Sequence, residues 1–186
     1  ELFVREIQDD DSVALVAVGG YGRAELAPSS DLDLMLIHKD REGVDSLADR
    51  IWYPLWDEGF KLGHSVRSVE QTLRLASTDL ETATSLLNAR LVAGDATLLE
   101  ELLTRNEDQW VSHGLDRLDE LARNVTRRHR LSGEVAFLLE PDLKEGRGGL
   151  RDVHAIDWAV RAGVEVPVHD HERLAEAYQV LLEARV

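Results

Sequence analysis

The chain has 186 residues, with 36 acidic and 21 basic side chains and a formal charge of −15. At 44% apolar residues it can bury a real core, while so acidic a balance speaks against a protein that lives on nucleic-acid phosphates or an anionic membrane surface. It contains no cysteine, which excludes disulfides, thiolate metal sites and a cysteine nucleophile and fits a reducing, cytoplasmic setting, and no apolar run approaches the roughly 20 residues that span a bilayer.

The chain opens on Glu1 rather than Met and reads as a piece of a longer protein. Residues 13–18, Val-Ala-Leu-Val-Ala-Val, form an apolar run closed by Gly19-Gly20, the pattern of a buried strand. One or two helical turns are expected over 21–27, stopped at Pro28. A second strand is expected over 31–38, with Leu32, Leu34 and Leu36 on one face and Asp31, Asp33, Met35 and Ile37 on the other. Val44, Leu47, Ala48, Ile51, Trp52, Leu55 and Trp56 follow helical spacing, with Gly59 as the stop. Residues 60–67 suit a third strand. Ser68 with Gln71, and Thr78 with Glu81, have capping-box spacing and open two helices. From Asp79 onward the pattern is almost wholly helical, with stops at Gly94, Gly133 and Gly163 and one loop over 140–150. The expected organisation is an α/β part over 1–75 and a helical part over 76–186. Trp52, Trp56 and Trp158 are expected to pack in cores.

The stretch Gly19-Gly20-Tyr21-Gly22-Arg23-Ala24-Glu25-Leu26-Ala27 and its continuation Ser30-Asp31-Leu32-Asp33-Leu34 carries chemistry. Alternation puts Asp31 and Asp33 on one strand face with Cα atoms roughly 6.5–7 Å apart. Two carboxylates so placed can converge on a hard cation such as Mg²⁺, which takes one or two protein carboxylates and completes its octahedron with water and phosphate oxygens. A strand ending in Gly19-Gly20 ahead of a helical turn lets backbone N–H groups approach a phosphate. Ser30 can donate a hydroxyl hydrogen bond to the same group. Arg23 is placed to add positive charge, or to pair with Glu25. There is no Gly-Lys-Ser/Thr and no Gly-x-Gly-x-x-Gly in the segment, so neither a Walker loop nor a dinucleotide fingerprint is present.

Taken together, this stretch resembles the signature of the polymerase-β-type nucleotidyltransferases. More narrowly it resembles the bacterial protein-PII uridylyltransferase/uridylyl-removing enzymes. Gly63-His64-Ser65-Val66-Arg67, the stretch from Ala83 to Leu91, and Lys144-Glu145-Gly146-Arg147-Gly148-Gly149-Leu150-Arg151-Asp152 also resemble that family, in its order. The resemblance implies an α+β fold, a polymerase-β-like nucleotidyltransferase domain with a small mixed sheet followed by an all-helical domain. It implies Mg²⁺-dependent (or Mn²⁺-dependent) transfer of UMP from UTP to a tyrosine of the PII protein, with pyrophosphate released. Asp31 and Asp33 match the family's catalytic metal pair, and Gly19, Gly20 and Ser30 its phosphate cradle. The complete family enzyme continues into an HD hydrolase domain and ACT domains. His169-Asp170 lacks the further ligands that an HD site needs and is read as incidental.

Many polymerase-β-type enzymes add a third carboxylate on a later strand, and residues 60–67 contain none. The third ligand is therefore absent, replaced by His64 or water, or supplied from elsewhere, such as Asp152. The loop from Lys144 to Asp152 is expected to face phosphate through Lys144, Arg147 and Arg151. Arg123, Arg127 and Arg130 fall on nearly one helical face, as a solvated surface or an anion-facing one. Alternative functions are AMP transfer from ATP to PII, transfer to a small molecule, and a non-catalytic nucleotide-binding module. No nucleic-acid partner and no membrane partner are expected.

Overall fold

Val13–Ala17 forms strand β1, and all five of its residues are buried. In this computed structural model, which describes Ile7, residues 12–28 and residues 30–185, the chain divides into two compact units, Glu1–Gln109 and Trp110–Val186.

In the first unit β1 is followed by a single helical turn, α1 (Gly19–Gly22), and by strand β2 (Leu32–His38). The 14-residue helix α2 (Val44–Asp57) then crosses over to strand β3 (Leu62–Ser68). β2 and β3 are parallel, and the helix between them is the crossover that a parallel pair requires. Helix α3 (Val69–Ala76) and helix α4 (Leu80–Leu86) lead to strand β4 (Arg90–Gly94). The four-stranded sheet has the order β3-β2-β1-β4, with β1 antiparallel to both neighbours. One face of β1 and β2 presents Val13, Leu15, Ala17, Leu34 and Leu36 to Leu47, Ile51, Trp52 and Leu55 of α2, the apolar stripe expected of that helix. On the other face the Thr72 hydroxyl of α3 reaches the Met35 sulfur at 4.0 Å.

The capping box at Ser68 and Gln71 forms as expected, with both reciprocal bonds present. The second helix start differs by one residue from the sequence reading. Asp79, not Thr78, caps α4, its Oδ2 accepting from the Thr82 N–H at 2.7 Å, while the Thr78 hydroxyl donates to the Leu75 carbonyl behind it. An ionised carboxylate is the better acceptor at the positive end of a helix.

The main departure is β4. Residues 90–94 continue no helix but pair with the open edge of β1, across a register shift between Leu15 and Val16. The sheet-bearing unit therefore runs past residue 75, and Gly94 ends a strand, not a helix. A five-residue apolar segment has no local period that separates strand from helix, and here pairing across some 75 residues decides the matter.

Helix α5 (Ala96–Ser112) spans the unit boundary, burying Leu98, Leu99 and Leu102 before it. The second unit continues with α6 (Gly114–Ser132), α7 (Leu150–Arg161) and α8 (Val168–Glu183). Gly133 and Gly163 follow α6 and α7 with positive φ, as expected of stops. The loop over 140–150 is present. Trp110 is buried, donates through Nε1 to the Trp158 carbonyl at 3.0 Å and lies under the Arg117 guanidinium. Of the three tryptophans expected in cores, Trp52 is there, Trp158 is half-buried, and Trp56 is 40% exposed. Trp56 sits at the end of the helical stripe, where α2 overhangs the edge strand β3. Among the described residues no helix is long and apolar enough to cross a membrane.

Candidate active site

Asp33 is the second residue of β2, on the face opposite the α2 layer. Its backbone carbonyl accepts from the Val18 N–H at 3.0 Å, which ties the end of β1 to the carboxylate-bearing strand. Directly beyond Val18, α1 turns back over this position. Gly19 holds φ +57°, and a Cβ there would come within 2.7 Å of Asp33 Oδ2. On the other side, Gly63 of β3 stands in register with Asp33, and a Cβ there would overlap Asp33 Oδ1. The carboxylate thus lies between two glycines, at either of which a Cβ would have to displace it. Asp31 precedes the strand and is exposed.

The turn itself is tightly constrained. Gly22 packs so closely that a Cβ would meet the Asn88 carbonyl at 2.6 Å and the Ala17 carbonyl at 2.9 Å. Gly20 is different, because among the described residues a Cβ there would meet nothing nearer than the Glu25 carbonyl at 4.0 Å. The Glu25 N–H closes the turn onto the Gly20 carbonyl. Ser30 uses its Oγ to accept from the Ala27 N–H at 3.0 Å, shaping the bend before Asp31, which leaves its hydroxyl hydrogen free to donate elsewhere. Arg23 donates to Glu25 Oε2 at 2.8 Å, the local pairing that the sequence leaves open beside a phosphate role.

Arg90, inside the stretch from Ala83 to Leu91 that resembles the family, supports this turn. Its Nη2 donates to the Tyr21 carbonyl at 3.2 Å and its guanidinium stands 5.2 Å from the Tyr21 ring centroid. The signal that would have found it is the β4 pairing, which places Arg90 beside Ala17.

Strand alternation removes His64 from the metal face. His64 lies opposite Leu34, on the α2 side, with its ring 5.6 Å from Trp52 and 5.2 Å from Trp56. Asp152 is equally occupied, in the second unit. It accepts from the Gly148 N–H at 2.7 Å, from Arg128, and from His129 Nε2 at 2.8 Å. Burial works to raise the pKa of its carboxyl, but these three donors outweigh burial and hold it below its ordinary value. Among the described residues no group of three or more metal-ligating side chains occurs. The oxygen donors that remain, Asp31 and Asp33, the latter flanked by the side-chain-free positions Gly19 and Gly63, fit a hard divalent cation that shares its shell with phosphate and water.

The cationic loop is built in the second unit. Gly146 and Gly149 are held in close turns against the Asp142 and Leu143 carbonyls. Arg147 pairs with Glu134 and Arg151 with Glu145, each at 2.8 Å. The Lys144 ammonium makes no ion pair among the described residues. On α6, Arg123, Arg127 and Arg130 line one open groove with Leu131, whereas Arg128 turns inward to the Glu145 carbonyl and Asp152.

Residues 116–186 match the family model described as GlnD PII-uridylyltransferase. The chain is 47% identical over 188 aligned residues to a bifunctional uridylyltransferase/uridylyl-removing enzyme of Streptomyces coelicolor, covering 99% of this chain and 22% of that protein. It is 46% identical to the enzyme of the same name from Mycobacterium tuberculosis, over 81% of this chain and 19% of that protein. The Nitrobacter hamburgensis enzyme is 40% identical over 82% of this chain and 17% of that protein. A solved chain described as a toxin-antitoxin with AMP-PNP overlaps with a TM-score of 0.41 at 12% identity, covering 67% of this chain and 93% of that one, too slight a likeness to weigh. The chain spans about a fifth of the length of the curated relatives it matches. By these matches the chain belongs to the PII-uridylyltransferase family.

Proposed function

We propose that the chain carries the transferase site of a uridylyltransferase, which moves UMP from UTP to a tyrosine hydroxyl of the PII protein. The observation that carries this reading is the Asp33 carboxylate held between Gly19 and Gly63 at the end of the Gly-Gly turn. The names of the relatives support the uridylyl group and the PII acceptor.

In the reaction the tyrosyl oxygen bonds to the α-phosphorus, and the bond from that phosphorus to its bridging oxygen breaks. Pyrophosphate leaves with the electron pair, and the phenolic proton passes to solvent. Mg²⁺, with Mn²⁺ as a substitute, supplies charge neutralisation at the phosphate oxygens when bound. Asp31 and Asp33 are the residues that would hold it. Asp33 is the better fixed of the two, because its backbone sits in the β1–β2 tie and its carboxylate is walled by glycines. Gly19 and Gly20 leave the turn open to a phosphate, and the Ser30 hydroxyl hydrogen is available to it. Arg23 is partly neutralised by Glu25 and acts mainly in shaping the turn. Lys144, Arg147 and Arg151 are carried as further phosphate contacts, Lys144 foremost because no acid pairs with it among the described residues.

Thermal unfolding with Mg²⁺ and either UTP or ATP tests the reading, since a ligand that binds only the folded state raises the midpoint. A rise with UTP that needs Mg²⁺, together with labelling of PII by UTP, is expected. No shift with either nucleotide would refute the site.

A further inference from the structure

We infer that the open edge of β3 is a docking strand for the protein acceptor. An extended segment pairs with it, lays its tyrosine across Gly63 toward Asp33, and sets a cationic side chain against Asp45 and Asp49. The inference rests on the transfer reading above.

β3 ends the sheet, and among the described residues it pairs with β2 alone. The Leu32 N–H donates to the Lys61 carbonyl at 2.8 Å. In a parallel ladder this turns the backbone groups of the odd-numbered residues toward β2 and those of Leu62, His64 and Val66 outward. A cleft of about 380 Å³ follows this edge, lined by Asp45, Asp49 and Trp52 of α2 and by His64, Val66 and Arg67 of β3. Trp56, whose ring stands 5.2 Å from that of His64, is 40% exposed. Proteins usually blunt an edge strand with proline, charge or a covering element. Here the cleft beside the outward-facing backbone is lined by Trp52, His64, Asp45 and Asp49, and no further strand covers the edge among the described residues. Strand addition to such an edge draws affinity from main-chain hydrogen bonds and specificity from alternate side chains.

Register selects the acceptor residue. A residue opposite Gly63 shares the sheet face of Asp33, and two strand spacings put its backbone roughly 10 Å from that of Asp33. Gly63 places no side chain in between. A serine or threonine hydroxyl, one bond beyond Cβ, falls short across that gap, whereas the phenol of a tyrosine spans most of it. The neighbours of that tyrosine face the opposite side, toward His64 and α2. Asp45 and Asp49 make no ion pair among the described residues, so the acceptor that complements this side of the cleft carries a lysine or arginine there.

Two measurements on the full chain test this. His64→Pro removes an outward N–H and leaves the β2 ladder intact, as proline at a strand edge allows. The UTP- and Mg²⁺-dependent thermal shift is expected to stay as in the wild type, while KM for PII rises roughly tenfold, the effect of one lost main-chain bond. In the second, a synthetic peptide carrying the acceptor tyrosine competes with PII for the wild-type chain, and single N-methyl groups are walked along its backbone. Inhibition should be lost at every other position. An unchanged KM for PII in a folded His64→Pro variant overturns the docking strand, as does a peptide indifferent to N-methylation throughout. If His64→Pro fails to fold, the peptide series alone decides. Failure of the transfer reading is separable, because it would appear in the wild type as absent UTP binding or absent labelling of PII.

Discussion

Asp33 and Gly63 stand in register across the parallel β2–β3 pair, and the volume that a side chain would need at 63 is already filled by the Asp33 carboxylate. Gly63 has no positive φ, so the requirement for glycine is one of space, not of backbone conformation. Gly63→Ala is therefore expected to push the carboxylate aside, lowering stability by about 1–3 kcal/mol and abolishing the Mg²⁺-dependent shift with UTP. Gly20→Ala is the control, since its Cβ meets nothing nearer than 4.0 Å. Its stability should stay within about 0.5 kcal/mol of the wild type, with any loss confined to nucleotide affinity. Equal melting temperatures for wild type and Gly63→Ala would contradict the packing described.

The two carboxylates should separate stability from chemistry. Asp31 is exposed at the mouth of the strand, so Asp31→Asn should leave the melting midpoint almost unmoved. Both Asp31→Asn and Asp33→Asn should slow transfer to PII by roughly three orders of magnitude, the equivalent of about 4 kcal/mol of lost charge stabilisation. Titration calorimetry of UTP with Mg²⁺ would check the same substitutions by binding. Wild-type rates in either variant would remove that residue from the site.

Much of this site was legible because it is local. The Gly-Gly turn, the Asp-x-Asp alternation and the Ser68 cap all depend on residues within a few positions of one another, where spacing alone dictates geometry. What was not legible came from pairing at a distance. β4 could not be told from helix until its partner β1 was known, and Arg90 gained its role at Tyr21 only through that pairing. His64 was a candidate replacement for a third carboxylate because residues 60–67 hold no acid, and one step of strand alternation puts it on the opposite face. Arg128, next in sequence to Arg127 of the basic face, turns inward because Asp152, 24 residues later, is there to meet it.

Arg90 is expected to act as a positioning residue for the turn. It holds the Tyr21 carbonyl and stands over its ring, contacts together worth about 1 kcal/mol at an exposed location. Arg90→Ala should speed amide hydrogen exchange across residues 19–25 and weaken UTP binding several-fold while leaving the catalytic rate at saturation near the wild-type value. A fall in the saturated rate with unchanged affinity would assign Arg90 a direct part in the chemistry instead.

Asp152 provides a pH test for the helical unit. Burial opposes its ionisation, but the Gly148 N–H, Arg128 and His129 favour the carboxylate more strongly, so its folded pKa lies below the ordinary value of 3.8. A group with a depressed folded pKa stabilises the native state fully above its unfolded pKa, and that stabilisation is lost as pH falls through the folded value. Asp152→Asn removes it at every pH and leaves the buried Arg128 without its counter-charge. At pH 7 the variant should be less stable than the wild type by about 2 kcal/mol. Below about pH 3.8 the unfolded chain protonates at Asp152 before the folded one does, and the gap should narrow until pH falls through the lower folded pKa. Denaturant unfolding of both proteins from pH 7 down to pH 3 measures it directly. A gap of constant size over that range would mean that Asp152 is not held ionised by Arg128 and His129, and that the loop from Lys144 to Asp152 is anchored by its backbone turns alone.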